Sequence, residues 1–394
     1  MKILILTRET SKDGNSIYNS YTQGIRNNYP DAVVVDYFNL YFENAKSKFE
    51  ASIVETIEQN GIDLIFINFV SADYTFDIDF LHQLSKKCFL MMNFYDSELF
   101  FEPVDRYYAQ CADLVILPTS TKFLENYSLL GIKAISTLSL FDSKMYEKRE
   151  RVKDVDVSFV GDLSKKSRKE FIEYLQQNGI DIQVYGKGSE NGSLTFDEMI
   201  ELFNRSKINL NFSDTTTERS FNKNLNTDYS IVPNIMEYTT QLKGRTIEVS
   251  LCGSFVLSQD AMGIEELFSS DAIATFQTKE ELLEKVKHYL QEETLREEMA
   301  DRAHKRAPNK FDATVIFKEL FENLDITQRE EKTIYLDAEF LKNYHSYHSL
   351  YLFNFLFKGK FKQFIQECKN IDFLKLKPYS LTQHFLQQLR YRLR

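Results

Sequence analysis

Lys243 and Arg245 stand just ahead of a short helical pattern, and an acid, Glu248, follows one turn in. Gly253 ends that pattern, Phe255–Leu257 reads as a buried strand, and Gly263 opens a second turn carrying Glu265 and Glu266. Cations at a helix start suit a diphosphate, because unpaired N–H groups and the helix dipole add to the side-chain charge. A carboxylate one turn in is placed to accept hydrogen bonds from two sugar hydroxyls. The chemistry expected of the segment is recognition of a nucleotide sugar.

The elements that must hold these groups follow from periodicity. Short apolar runs at Ile3–Leu6, Ala32–Val35, Leu64–Phe69, Cys88–Met92, Leu114–Leu117 and Lys133–Ser136 alternate with helical segments. Near-continuous apolar strands between helices predict a parallel sheet covered on both faces. The charge-dense stretch Asp142–Asp156 has no apolar period and reads as a linker. A second alternation then runs through Val157–Val160, Ile182–Tyr185, Ile208–Phe212, Phe255–Leu257 and Ala272–Phe276. The expected organisation is a domain over 1–145, a second over 155–325 and a helical extension over 330–394. Ligands of such sheets bind at the carboxyl ends of the strands. Ser213–Thr240, polar and too long for an ordinary connection, reads either as a loop covering the sugar or as an insertion.

The run Lys243-Gly244-Arg245-Thr246-Ile247-Glu248, continued to Cys252-Gly253, resembles the donor motif of GT-B glycosyltransferases of the group 1, spore-maturation-protein-B-like branch. The resemblance covers about residues 155–325 well and 1–150 in outline. It implies a GT-B fold, two Rossmann-like domains facing a cleft, with the acceptor in the first and a nucleoside-diphosphate sugar on the second. It makes Glu248 the ribose-binding acid, and Lys243 and Arg245 the cations that stabilise the leaving diphosphate. A basic residue near Arg168 would touch phosphate, and Gly161 would let backbone approach it. Gly186 and Lys187 would lie beside the nucleobase, and Gly263 and Glu265 would match a Gly-x-x-Glu near the sugar. Thr240 stands where retaining enzymes of this type carry a first glutamate, with Glu237 near but out of register. The acceptor side would be built from Gly14 and Asn15, beside Arg8 and Asp13, and from Asn93, Tyr95 and Asp96. Asp96 is the candidate general base or, equally, a helix cap.

The implied activity is transfer of a hexosyl group to a glycan, a protein or another surface acceptor, metal-independent and retaining. The alternative is a catalytically silent scaffold that binds sugar or a partner. No cofactor beyond the donor is expected. Asp77-Ile78-Asp79 and Asp154-Val155-Asp156 have the spacing of a divalent-cation pair but adjoin no donor motif.

Composition narrows the partners. The 394 residues carry a net charge of -10, which argues against nucleic acid. Four scattered cysteines (Cys88, Cys111, Cys252, Cys368) form no metal or disulfide pattern. No leader or membrane-spanning run is visible, so a cytoplasmic location is expected. Residues 341–394 hold ten Lys and Arg against two Asp and Glu, a net of +8, leaving -18 elsewhere. Their aromatic residues recur near helical spacing. Two expectations follow: a bundle docked on the acidic body or on another copy, or peripheral contact with the inner membrane face.

Overall fold

The computed structural model describes residues 1–8, 17–44, 46–69, 73–163, 165–214 and 240–392. Two all-parallel sheets form the frame. The first contains β1 (Ile3–Thr7), β2 (Val33–Asp36), β3 (Leu64–Phe69), β4 (Phe89–Phe94), β5 (Leu114–Leu117) and β6 (Ala134–Ser136), in the order 2-1-3-4-5-6. The second contains β7 (Val155–Val160), β8 (Ile182–Tyr185), β9 (Ser206–Asn211), β10 (Val256–Gln259) and β11 (Ala274–Phe276), in the order 8-7-9-10-11. Both sheets thus start centrally, step outward once and then run the other way. Every residue of β1, β3, β4 and β5 is buried, as helices on both faces require. The strand order reverses between β1 and β3 and between β7 and β9, and such switch points open a crevice at the strand ends.

The chain crosses between the domains twice, at one place. Phe141 N–H donates to Phe311 O at 2.8 Å, and Ala313 N–H donates to Phe141 O at 2.8 Å. After this crossing, helix Ala313–Glu322 lies on the first sheet, not the second. Phe317 meets Tyr21 at 5.7 Å and Phe66 at 5.7 Å, ring centre to ring centre.

The extension joins the first domain through aromatic burial. Helix Ala338–Phe357 buries Phe340, Tyr344, Tyr351 and Phe355 in the first-domain core. Phe340 sits 4.3 Å from the Tyr107 ring, and Tyr351 5.1 Å from Phe42. A buried polar set closes the seam. Tyr41 donates to Glu367 at 2.8 Å, and Glu367 contacts His348 Nδ1 at 2.5 Å. Opposite charge adds to this docking where Lys332 pairs with the Asp113 carboxylate. Lys377 pairs with Glu339 and Lys375 with Asp372, both inside the extension. Where an ion pair crosses the seam at the helix start, the extension supplies the acid: Asp337 faces Arg106 at 3.4 Å.

Phe340→Ala is therefore expected to cost about 3–5 kcal/mol in urea unfolding followed by circular dichroism. A loss below about 1 kcal/mol would show that the extension lies on the core without completing it.

Candidate active site

The site lies where β7, β8 and β9 end, against the start of helix Gly244–Leu251. Arg168 belongs to helix Lys166–Gln177, is 8% exposed, and donates to Asp162 O at 3.1 Å and Phe212 O at 3.4 Å. Its Nε is buried without a partner. Lys165, ahead of that helix, reaches Asp214 O at 3.2 Å. Lys243, ahead of Gly244–Leu251, donates to Gln241 Oε1. The three cations affect one another. Burial, then Arg168 and Lys243, push Lys165 down to about 7. Burial also lowers Lys243 and Arg168. Three partly desolvated cations beside a helix start form a place for a polyanion.

The first domain answers with acids. Asp96 is left-handed at φ 55° and precedes the short helix Ser97–Phe100 without a side-chain capping bond. Gln241 donates to Asp96 Oδ1 at 3.4 Å and to Glu98 Oε2 at 3.2 Å. Thr119 donates to the other Glu98 oxygen. Burial raises Glu98, and it pushes the neighbouring Asp105 up to about 8. Gln241 thus joins the acids of one domain to a cation of the other through a single amide.

Arg245 and Glu248 form a pair of their own. Arg245 Nη1 lies 2.7 Å from Glu248 Oε2, one turn apart on the same helix. Tyr146, from the linker, donates to Glu248 Oε1 at 3.0 Å. The Arg245 guanidinium covers the Phe203 ring at 5.0 Å. Arg245, expected beside a diphosphate, is paired with Glu248, and Lys165 lies beside Lys243 and Arg168.

Gly161 and Gly186 touch. Gly161 N–H donates to Tyr185 O at 2.9 Å, and Gly186, at φ 116°, has no room for a side chain against the Gly161 carbonyl. Lys187 is exposed, 3.9 Å from Asp162. The Gly263 turn faces the other domain. Glu265 pairs with Lys122 at 2.6 Å, Glu266 accepts from Ser120 at 2.5 Å and from Thr121 N–H at 2.8 Å, and a side chain at Gly263 would collide with Ser120. These contacts fasten one edge of the interdomain cleft. Beside them a cavity of about 440 Å³ is lined by Lys122, Thr240, Gln259, Asp260, Gly263 and Gln277.

Gly14, Asn15, Asp13 and Glu237 lie outside the described residues, as does most of Ser213–Thr240. Arg8 stacks on Phe38 at 3.8 Å. Both Asp-x-Asp triplets have structural partners. Asp77 caps helix Ile78–Lys87 and binds Lys46; Asp154 pairs with Arg205 and Asp156 with Lys207. Among the described residues, no group of three His, Cys, Asp or Glu is placed to hold a metal ion.

Sequence reading missed Lys165, Glu98, Gln241 and Tyr146. Lys165 was visible as one of three cations in the four residues ending at Arg168, and Glu98 lies two residues past Asp96. Gln241 and Tyr146 carry no local signal, because only the domain arrangement gives them partners.

The class that this fold defines is GT-B: two facing parallel-sheet domains whose strand ends line the cleft. Residues 166–322 match a family model described as glycosyl transferase-like. HepE of Anabaena, solved in complex with UDP-glucose, superposes over 82% of this chain and 98% of its own, with a TM-score of 0.57 at 16% identity. Sucrose-phosphate synthase of Thermosynechococcus elongatus superposes over 82% and 98%, at 0.56 and 10% identity. A glycosyltransferase of Rickettsia africae covers 82% and 97%, at 0.54 and 11% identity. No curated protein matches the chain by sequence.

The lowered Lys165 makes anion binding pH-dependent. Above about 7 Lys165 is largely neutral, so a diphosphate bound beside it would draw a proton onto it. UDP binding measured by calorimetry in buffers of different ionisation heat should take up more protons at mildly alkaline pH in the native chain than in Lys165→Arg. Equal uptake by the two proteins would remove Lys165 from the anion site.

Proposed function

We propose that the chain is a glycosyltransferase that moves a hexosyl group from a nucleoside-diphosphate sugar to an acceptor bound on the first domain. The carrying observation is the cation trio Lys165, Arg168 and Lys243, set at the carboxyl ends of the second sheet and facing the acids Asp96 and Glu98. The trio takes the diphosphate and stabilises the charge that grows on it as the sugar bond breaks. Because these cations supply that charge, the reading is metal-independent. Glu248, held by Tyr146 and Arg245, receives the ribose hydroxyls. The Gly161–Gly186 contact and Lys187 form the nucleobase side. Gly263 and Glu265 shape the sugar side of the cleft while bracing it. Asp96 takes the acceptor proton.

The Anabaena structures hold UDP, glucose and UDP-glucose, which supports a uridine donor as the first to test. The family match over 166–322 supports glycosyl transfer itself. Retention of configuration is the stereochemistry we assign, with a glycan or a protein as the acceptor. One feature favours a second reading, a silent sugar-binding scaffold: Thr240 leaves the motif without its first acid.

Slow donor hydrolysis separates the two. With a panel of nucleotide sugars, release of nucleoside diphosphate is expected with at least one donor, unchanged by EDTA. Lys243→Ala should lower it about 10²–10³-fold, and Glu248→Ala should raise the apparent donor KM. Tight donor binding without turnover, with any acceptor tried, would establish the scaffold instead.

A further inference from the structure

We propose that the end of the extension, residues 361–390, is a docking surface for an anionic lipid bilayer. Contact of this surface with a bilayer does not depend on whether the chain transfers sugar. Among the described residues, eight of the fourteen exposed large hydrophobic side chains fall between Phe361 and Leu386. Leu374 is 98% exposed, Tyr379 79% and Phe361 63%. A concentration of this kind marks a contact surface, whereas single exposed apolar residues need no explanation.

Their placement is ordered. Helix Phe361–Asn370 turns Phe364 toward the first-domain core, while Phe361 and Ile365, one turn apart, remain exposed. Phe373 and Leu374 sit in the short turn Phe373–Lys375, outside the long helix that anchors the extension. Helix Ser380–Arg392 then exposes Leu381, Phe385 and Leu386 in part, and Phe385 rests on Phe353 and Phe357 of the anchoring helix at 5.5 and 5.4 Å. The apolar residues therefore stand on a firmly docked base and face outward.

The charge beside them selects the partner. Lys362, Lys369 and Arg390 lie on the same two helices, and no carboxylate comes within ion-pair distance of any of them in the described residues. The two acids of the region are engaged elsewhere, Glu367 with His348 and Tyr41, and Asp372 with Lys375. Lys358 and Lys360 lie against Phe42 of the first domain, which leaves Lys362, Lys369 and Arg390 for another surface. Exposed aromatic and leucyl groups beside lysines fit the headgroup–acyl boundary of an anionic leaflet. No helix among the described residues is long and apolar enough to cross a membrane, so the contact is peripheral.

The full chain should float with phosphatidylcholine vesicles containing phosphatidylglycerol, and about tenfold less with phosphatidylcholine alone. Flotation should fall in Lys362→Glu combined with Lys369→Glu. It should also fall in Phe373→Ser combined with Leu374→Ser, substitutions at exposed positions that leave circular dichroism and melting temperature unchanged. Absence of flotation on the anionic vesicles overturns the proposal, as does equal flotation by both variants. A dimer in light scattering that these variants dissociate, without vesicle binding by the native chain, assigns the surface to a second copy instead.

Discussion

Three cations held close together, away from bulk water, are the constraint on which the site depends. Lys165, Arg168 and Lys243 repel one another, and burial removes the hydration that would offset that repulsion. The fold tolerates this because carbonyls at the ends of β7 and β9 accept from Arg168, a loop carbonyl accepts from Lys165, and Gln241 accepts from Lys243. A polyanion relieves the strain directly. On the proposed reading, that electrostatic tension is what would draw the diphosphate of the donor to this place.

The acids of the first domain are tied into this arrangement through an amide rather than through ion pairs. Gln241 presents its N–H groups to Asp96 and Glu98 and its carbonyl to Lys243. A direct Lys–Glu pair would neutralise both groups and withhold the cation from a ligand. The amide holds the domains in register while leaving the charges separate.

Much of the frame was legible in the sequence because buried parallel strands are apolar throughout. Ile3–Leu6, Leu64–Phe69 and Leu114–Leu117 announce themselves without reference to anything distant. The helix Gly244–Leu251 was equally local, with its cations, acid and closing glycine inside eleven residues. What escaped is what depends on a partner far along the chain. Gln241 reads as an ordinary amide until Asp96 and Glu98, distant in the chain, meet it. Helix Ala313–Glu322 reads as part of the second domain until the bonds at Phe141 carry it to the first. The extension's charge reads as its means of attachment until its rings are seen buried in the first-domain core.

Phe141 has one further consequence. Both covalent connections between the halves of the molecule pass side by side there, bonded to Phe311 on one side and Ala313 on the other. With the covalent crossings confined to one line, the rest of the join between the halves is made by side chains, among them Gln241 on Asp96 and Glu98, and Glu266 on Ser120. The turn at Gly263 allows that last approach, since Ser120 already occupies the space a bulkier residue would need. A single added methyl group at Gly263 would fall on Ser120 and hold the two halves further apart at that edge.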